Sequence, residues 1–166
     1  ESLARKISKL PSISVKNFGA KGDGTTDDLA AFNLALTYGA SVGLPVYVPP
    51  GKYIVSAPVR IPENTGLYGA SFIGGAYAGT VQGSSIWAKS TFNYPTRGII
   101  ESYNSQAGGL QEFAPISNIS IFGNMANGAI CGAGILWASV FINSMIRDVQ
   151  IQECSGDGIQ LNGTNG

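Results

Sequence analysis

The sequence predicts an all-β fold, a solenoid of stacked strands with one α-helix near its N-terminal end. Three observations carry that prediction. Two blocks in the C-terminal half repeat each other; 23 glycines with only 12 % charged residues suit strands joined by tight turns better than a helical bundle; and one capped helix start stands near the N-terminus. At 166 residues the chain can bury one core. It reads as a single domain, 13–166, behind a lead-in segment, 1–12. The lead-in carries Arg5, Lys6 and Lys9 among Leu3, Ile7 and Leu10 and fits a short helix or a linker equally well.

Taken in order, the first element is a strand ending near Val15, followed by a tight turn from Phe18 to Gly24, where Gly19, Gly22 and Gly24 permit backbone angles closed to other residues. A helix is expected from Asp27 to about Tyr38. Thr25 is its N-cap with Asp28 at N3, a capping-box-like pair, and Asp27 and Asp28 lie where the helix dipole favours carboxylates. Leu29, Phe32 and Leu36 form its apolar stripe, which ends near Gly39. Strands follow within Val46–Val55 and Gly66–Ala70. Residues 71–115 read as long irregular loops rich in aromatics, broken by short strands at Ser85–Ala88 and Gly98–Glu101.

The repeat begins after these loops. Ile116–Asn124 lies over Ile146–Cys154 with apolar residues coinciding at the first, fourth and sixth positions, and Gly132–Trp137 lies over Gly156–Leu161 with Gly-x-Gly-Ile kept. The offset changes between the two blocks, which places length variation in the intervening loop. Alternation directs Ile119, Ile121, Val149, Ile151, Ile135, Trp137, Ile159 and Leu161 into the stack. Ser120, Gln150, Phe122, Gln152, Leu136 and Gln160 then face outward. Phe122 and Leu136 are large and apolar for that face, so a loop or another chain should cover them. Asn118 and Asp148 share one turn position. Gly158–Gly163 reads as a strand entering a turn with no closing cap after it, the pattern of an N-terminal piece of a longer solenoid.

The segment from about 13 to 70, with Gly19-Ala-Lys-Gly-Asp-Gly-Thr-Thr-Asp-Asp28 and Pro49-Pro-Gly-Lys-Tyr53, resembles the opening of the pectate-lyase-like right-handed parallel β-helix proteins. It is most similar to the branch containing bacteriophage tailspikes and secreted polysaccharide-degrading enzymes. The resemblance implies a right-handed parallel β-helix and a homotrimer formed through it. It implies a polysaccharide partner, with hydrolytic or eliminative depolymerisation of a bacterial surface glycan, and an extracellular place on a virion tail or as a secreted protein. A non-catalytic β-helix that binds glycan or forms a shaft is the alternative. The shared motifs build the cap, so they mark fold more strongly than reaction.

The remaining chemistry is narrow. Histidine is absent, which removes Ser-His-Asp and Cys-His nucleophile systems and histidine metal sites. Ten basic and ten acidic side chains cancel without a basic tract, which argues against a nucleic-acid partner. No run approaches the ~20 apolar residues of a membrane span. Cys131 and Cys154 read as free thiols rather than a disulfide framework. Carboxylates are what is left for catalysis. Asp148, Glu153 and Asp157 lie close in sequence beside Arg147, as weak candidates for one groove; turn formation and solvated strand edges also account for them. Asp23, Asp27 and Asp28 belong to the cap. No cofactor is called for, with Ca²⁺ entering only if the reaction is a lyase elimination. The Asn-Thr-Asp, Asp-Asp, Gly-His-Gly and Arg-Ile-Lys blocks of the polygalacturonase branch are absent as a set, so if the intact protein is an enzyme its decisive catalytic residues are expected beyond Gly166.

Overall fold

Among the described residues, every strand pairing in the computed structural model is parallel. The structure describes residues 13–71, 83–102, 114–138 and 144–162. The lead-in 1–12, most of the aromatic-rich loops and the predicted turn after Asn162 lie outside the described residues.

The first strand, β1 (Ile13–Ser14), runs into a 3-10 turn at Val15–Phe18, and β2 (Asp23–Asp27) precedes the helix α1 (Leu29–Val42). After α1 come β3 (Val46–Val48), β4 (Gly51–Val55), β5 (Val59–Ile61) and β6 (Leu67–Gly69). Next are β7 (Ser84–Ala88), β8 (Asn93–Ser102), β9 (Ile116–Phe122), β10 (Ile130–Ala138), β11 (Ile146–Gln152) and β12 (Asp157–Asn162). One sheet runs β1-β3-β6-β9-β7-β4-β2, with β11 on the other edge of β9, and the second runs β12-β10-β8-β5. The chain visits one sheet and then the other, and each strand pairs with its counterpart a circuit later. This mostly-β architecture with one α-helix among the described residues fits a β-helix-like fold.

The repeat read from the sequence is the register of these sheets. Ile116 pairs with Ile146 and Ile121 with Ile151, while Ile135 pairs with Ile159 and Trp137 with Leu161. The offset change falls in the corners, 123–129 in one circuit and 153–156 in the next. Ile116, Ile119, Ile121, Ile135 and Trp137 join one buried cluster with Val46, Val48, Ile86 and Ile100, and Val149 and Ile151 pack against it.

Four expectations need correction. The helix starts at Leu29, not Asp27, because Thr25 and Thr26 belong to β2 and turn their hydroxyls to the Asp23 carboxylate. Its N-cap is Asp28, whose carboxylate makes no capping bond and accepts instead from the N–H groups of Lys21, at 2.6 Å, and Gly22, at 3.0 Å. The helix also passes through Gly39 to a left-handed stop at Gly43. Gly39 is needed for close packing, since a Cβ there would lie 2.6 Å from the Thr65 hydroxyl and 2.8 Å from the Leu44 carbonyl. Finally, Ile159 and Leu161 share the inward face of β10 yet stay 46 % and 72 % exposed, because β12 is an edge strand.

The turn before the helix is as the glycines require. Gly19, Gly22 and Gly24 have φ of 100°, 60° and 78°. A Cβ on Gly22 would also fall 2.7 Å from the Tyr53 ring. Helix residues Ala31, Phe32, Ala35, Leu36 and Gly39 are buried, and α1 lies against β1, β3 and β5. Phe32 meets Tyr53 edge-on at 5.6 Å, so the helix closes over the first circuit.

Candidate functional site

In stacked parallel strands, outward side chains at one register form columns running across the sheet. The larger sheet carries two that bear chemistry. Ile54, Trp87, Phe122 and Gln152 share a register on β4, β7, β9 and β11. The Trp87 and Phe122 rings stack at 4.0 Å and 10°, and the Lys52 ammonium lies 3.9 Å from the Trp87 ring centroid. The Trp87 indole N–H donates to the Ser85 hydroxyl at 3.0 Å, which fixes the ring. Toward the other end of these strands, Tyr47, Tyr68, Ser117 and Arg147 form a second column. The two tyrosine rings are 5.1 Å apart and both half-buried, while Arg147 is exposed. Aromatic faces and cations arrayed along one surface can stack on sugar rings and pair with anionic groups.

Phe122 and Leu136 are outward-facing and covered, as expected for large apolar groups. Phe122 lies beneath Trp87, and Phe122 and Leu136 are each under 3 % exposed while standing apart from the inner cluster.

The smaller sheet bears a charged column that sequence reasoning missed. Arg60, Glu101, Leu136 and Gln160 align across β5, β8, β10 and β12. The Glu101 carboxylate is fully buried and takes hydrogen bonds from Arg60 Nε at 2.9 Å, from Arg97 Nε at 2.8 Å and from Arg97 Nη2. That partnership raises the Arg97 guanidinium further above its ordinary range. The signal in the sequence was a lone charge on an apolar strand, Gly98-Ile-Ile-Glu101. Its meaning was hidden because Arg60 stands 41 residues away.

The three carboxylates singled out from sequence lie on the last described circuit. Asp148 is on β11, ion-paired with Arg147 at 3.2 Å, with both side chains at least half exposed. Glu153 is exposed in the corner after β11, and Asp157 is exposed at the start of β12. At ~3.3 Å per strand residue, Asp148 and Glu153 stand roughly 16 Å apart along the chain, beyond the ~5 to ~9.5 Å span of paired glycosidase carboxylates. Asp148 and Glu153 both adopt left-handed backbone, φ 53°. Asn118 does too, at φ 54°, on the strand beside Asp148, so the shared turn position is a real backbone feature.

Asp23 and Asp28 serve the cap. Backbone and hydroxyl donors of Thr26 and Thr25 converge on Asp23 and hold its carboxyl well below the usual carboxylate range. Among the described residues no cluster of three or more Cys, Asp or Glu is arranged to hold a metal ion, and no helix is long and apolar enough to cross a membrane.

Residues 12–166 match the family described as rhamnogalacturonase A/epimerase, pectate lyase-like. The chain belongs to this family. A 58-residue stretch is 52 % identical to the pre-neck appendage protein of Bacillus phage phi29, covering 35 % of this chain and 6 % of that protein. The structure of pre-mature bacteriophage phi29 gene product 12 superposes on 94 % of the chain with a TM-score of 0.74 at 28 % identity, the match taking 19 % of that protein's length. The A-module of a mannuronan C-5 epimerase from Azotobacter vinelandii follows the same path over 91 % of the chain, with a TM-score of 0.73 and 26 % identity, and 40 % of the module is covered. The chain thus spans a small part of these phage relatives.

Proposed function

We propose that this chain is part of a tailspike-type bacteriophage appendage. In that reading, its strands wind as a right-handed parallel β-helix and engage a bacterial surface polysaccharide for depolymerisation by hydrolysis or elimination. The observation that carries the reading is the outward face of the larger sheet, where Tyr47 and Tyr68 share one column along the stacking direction and the Lys52 ammonium sits on the Trp87 ring. A long ligand suits aromatic and cationic groups spread over successive circuits. The similarity to a phage pre-neck appendage protein supports a virion location. The intact protein assembles as a homotrimer through the β-helix.

A second reading, binding without cleavage, is favoured by one feature. Asp28 and Glu101 are the buried carboxylates among the described residues, and both are committed to partners within the fold. Cleavage by Asp148, Glu153 or Asp157 would need a groove completed by neighbouring circuits, so these residues alone should be inert. Ca²⁺ belongs to the scheme only if the reaction is eliminative.

Incubating the intact protein with host capsule or wall glycan separates the readings. Release of defined oligosaccharides supports depolymerisation, and an unsaturated product absorbing in the ultraviolet identifies elimination. Retention without cleavage supports binding alone. Neither retention nor release, from glycan of the bacterium the phage adsorbs to, refutes both.

A further inference from the structure

The chain's two cysteines come together across successive circuits. Cys131 lies near the start of β10 and Cys154 in the 153–156 corner that leads from β11 into β12; Cys154 packs against the buried cluster to which Cys131 belongs, and its S–H faces the Gln152 carbonyl at 3.8 Å. Cys131 is 2 % exposed and Cys154 half-buried. The corner is pinned to β10 by Ser155, whose hydroxyl accepts from the Cys131 N–H and donates to the Cys131 carbonyl, both at 2.8 Å, and lies 3.9 Å from the Cys131 sulfur. Two glycines make room for Cys154. A Cβ on Gly134 would sit 3.2 Å from its sulfur, and one on Gly123 would sit 2.5 Å from its Cα. Ser155, Gly156 and Asp157 are exposed, so a small solute reaches the corner from solvent.

We propose that Cys131 and Cys154 form an oxidation-responsive pair, which hydrogen peroxide converts into a disulfide that staples the 153–156 corner onto β10. Cys131 is the attacking group. The neighbouring Cys154 side chain, then the N–H groups of Ser155 and Gly156, push its thiol down to about 6 against the opposing effect of burial, which favours the thiolate. The nearness of Cys131 and burial push the Cys154 thiol up, which favours its protonated form.

In the first step the Cys131 thiolate attacks one peroxide oxygen. An S–O bond forms, the O–O bond breaks, and hydroxide leaves with the electron pair, taking up a proton to become water. The sulfur is oxidised by two electrons to sulfenic acid and the peroxide is reduced. Cys154 then attacks the Cys131 sulfur: the S–S bond forms, the S–O bond breaks, and the oxygen leaves as a second water carrying the Cys154 proton. Two thiols and one peroxide thus yield one disulfide and two waters.

The test treats the reduced, intact protein with hydrogen peroxide, blocks remaining thiols by alkylation and maps peptides without reduction. The expected result is joint loss of both thiols, a Cys131–Cys154 cross-linked peptide within one chain, and recovery of both thiols with dithiothreitol. Amides of 153–156 should then exchange at least tenfold more slowly in the oxidised form. Both thiols surviving doses that oxidise free cysteine would overturn the proposal, as would Cys131 reaching sulfinic acid with Cys154 still alkylatable, or a cross-link between chains. In a Cys154→Ser variant, dimedone should label the stranded Cys131 sulfenic acid; a folded variant with no label overturns the assigned roles. The wild-type measurements stand if that variant does not fold.

Discussion

Phe32→Ala should free the capping helix from the strands beneath it. Phe32 has no solvent exposure, meets Tyr53 edge-on at 5.6 Å, and belongs to the cluster that includes Val46, Val48 and Val55. Truncating a buried Phe costs about 3–5 kcal/mol, of which an edge-to-face aromatic pair supplies ~0.5–1.5. Tyr53 cannot readily collapse into the space, because its hydroxyl donates to the Pro49 carbonyl at 3.0 Å and Gly22 holds the backbone against its ring. The upper part of the range is therefore expected. If α1 opens as a local unit, a loss of that size speeds exchange of its backbone amides by roughly three to three and a half orders of magnitude, at about 1.4 kcal/mol per factor of ten. Hydrogen exchange with mass spectrometry on the intact protein reads this directly, without requiring two-state unfolding. Phe32→Asp, which buries a charge, should do more. Helix amides exchanging within about threefold of wild type in Phe32→Ala would show that Phe32 does not anchor the cap.

Glu101→Gln should destabilise the smaller sheet by about 3–5 kcal/mol, since it leaves Arg97 and Arg60 facing a neutral buried group; unchanged exchange protection in β8 and β5 would contradict this. Folding lowers the Asp23 carboxyl below its unfolded value of about 4, so its contribution is complete above that value and drains away as pH falls through the lower folded one. Carboxyl-carbon NMR should therefore find Asp23 titrating well below 4, and Asp23→Asn should remove that acid sensitivity from the Thr25–Thr26 turn. Glu153→Asn should be neutral or stabilising by up to about 1 kcal/mol, because its φ of 53° suits Asn better than Glu; a fall in thermal midpoint would show that the Glu153 side chain itself supports the corner.

The fold was legible where the chain states it locally and repetitively. The inward face of β9 and β10 followed from alternation, the register of β11 on β9 from the repeat of Ile116–Asn124 in Ile146–Cys154, and that of β12 on β10 from the Gly-x-Gly-Ile repeat, because parallel stacking places like over like. The helix boundaries were less legible. Thr25 and Asp28 have the types of a capping box, yet Asp23 competes for the threonine hydroxyls and the Lys21 and Gly22 amides compete for Asp28. Gly39 looked like a stop and is instead a close-approach position, a distinction that depends on Thr65 and Leu44. The site was least legible, since its columns join residues from four circuits that alternation alone cannot put side by side.

That contrast changes which residues are informative about function. Asn118, Asn124 and Asp148 occupy left-handed backbone, where short polar side chains are common, so chain geometry already accounts for their types. Glu153 sits in the same conformation without that advantage, which marks it out among the three carboxylates. The Tyr47–Tyr68 pair is different again. Both rings face away from the core, and although their contact supports the strand pair, the part of each ring left in water is surface that strand pairing does not need. Side chains that the fold does not require, repeated along the direction in which a polymer would lie, are the stronger sign of a ligand. Replacing both tyrosines should therefore weaken glycan retention while leaving the strand register intact, and substitution of Asp148 should not.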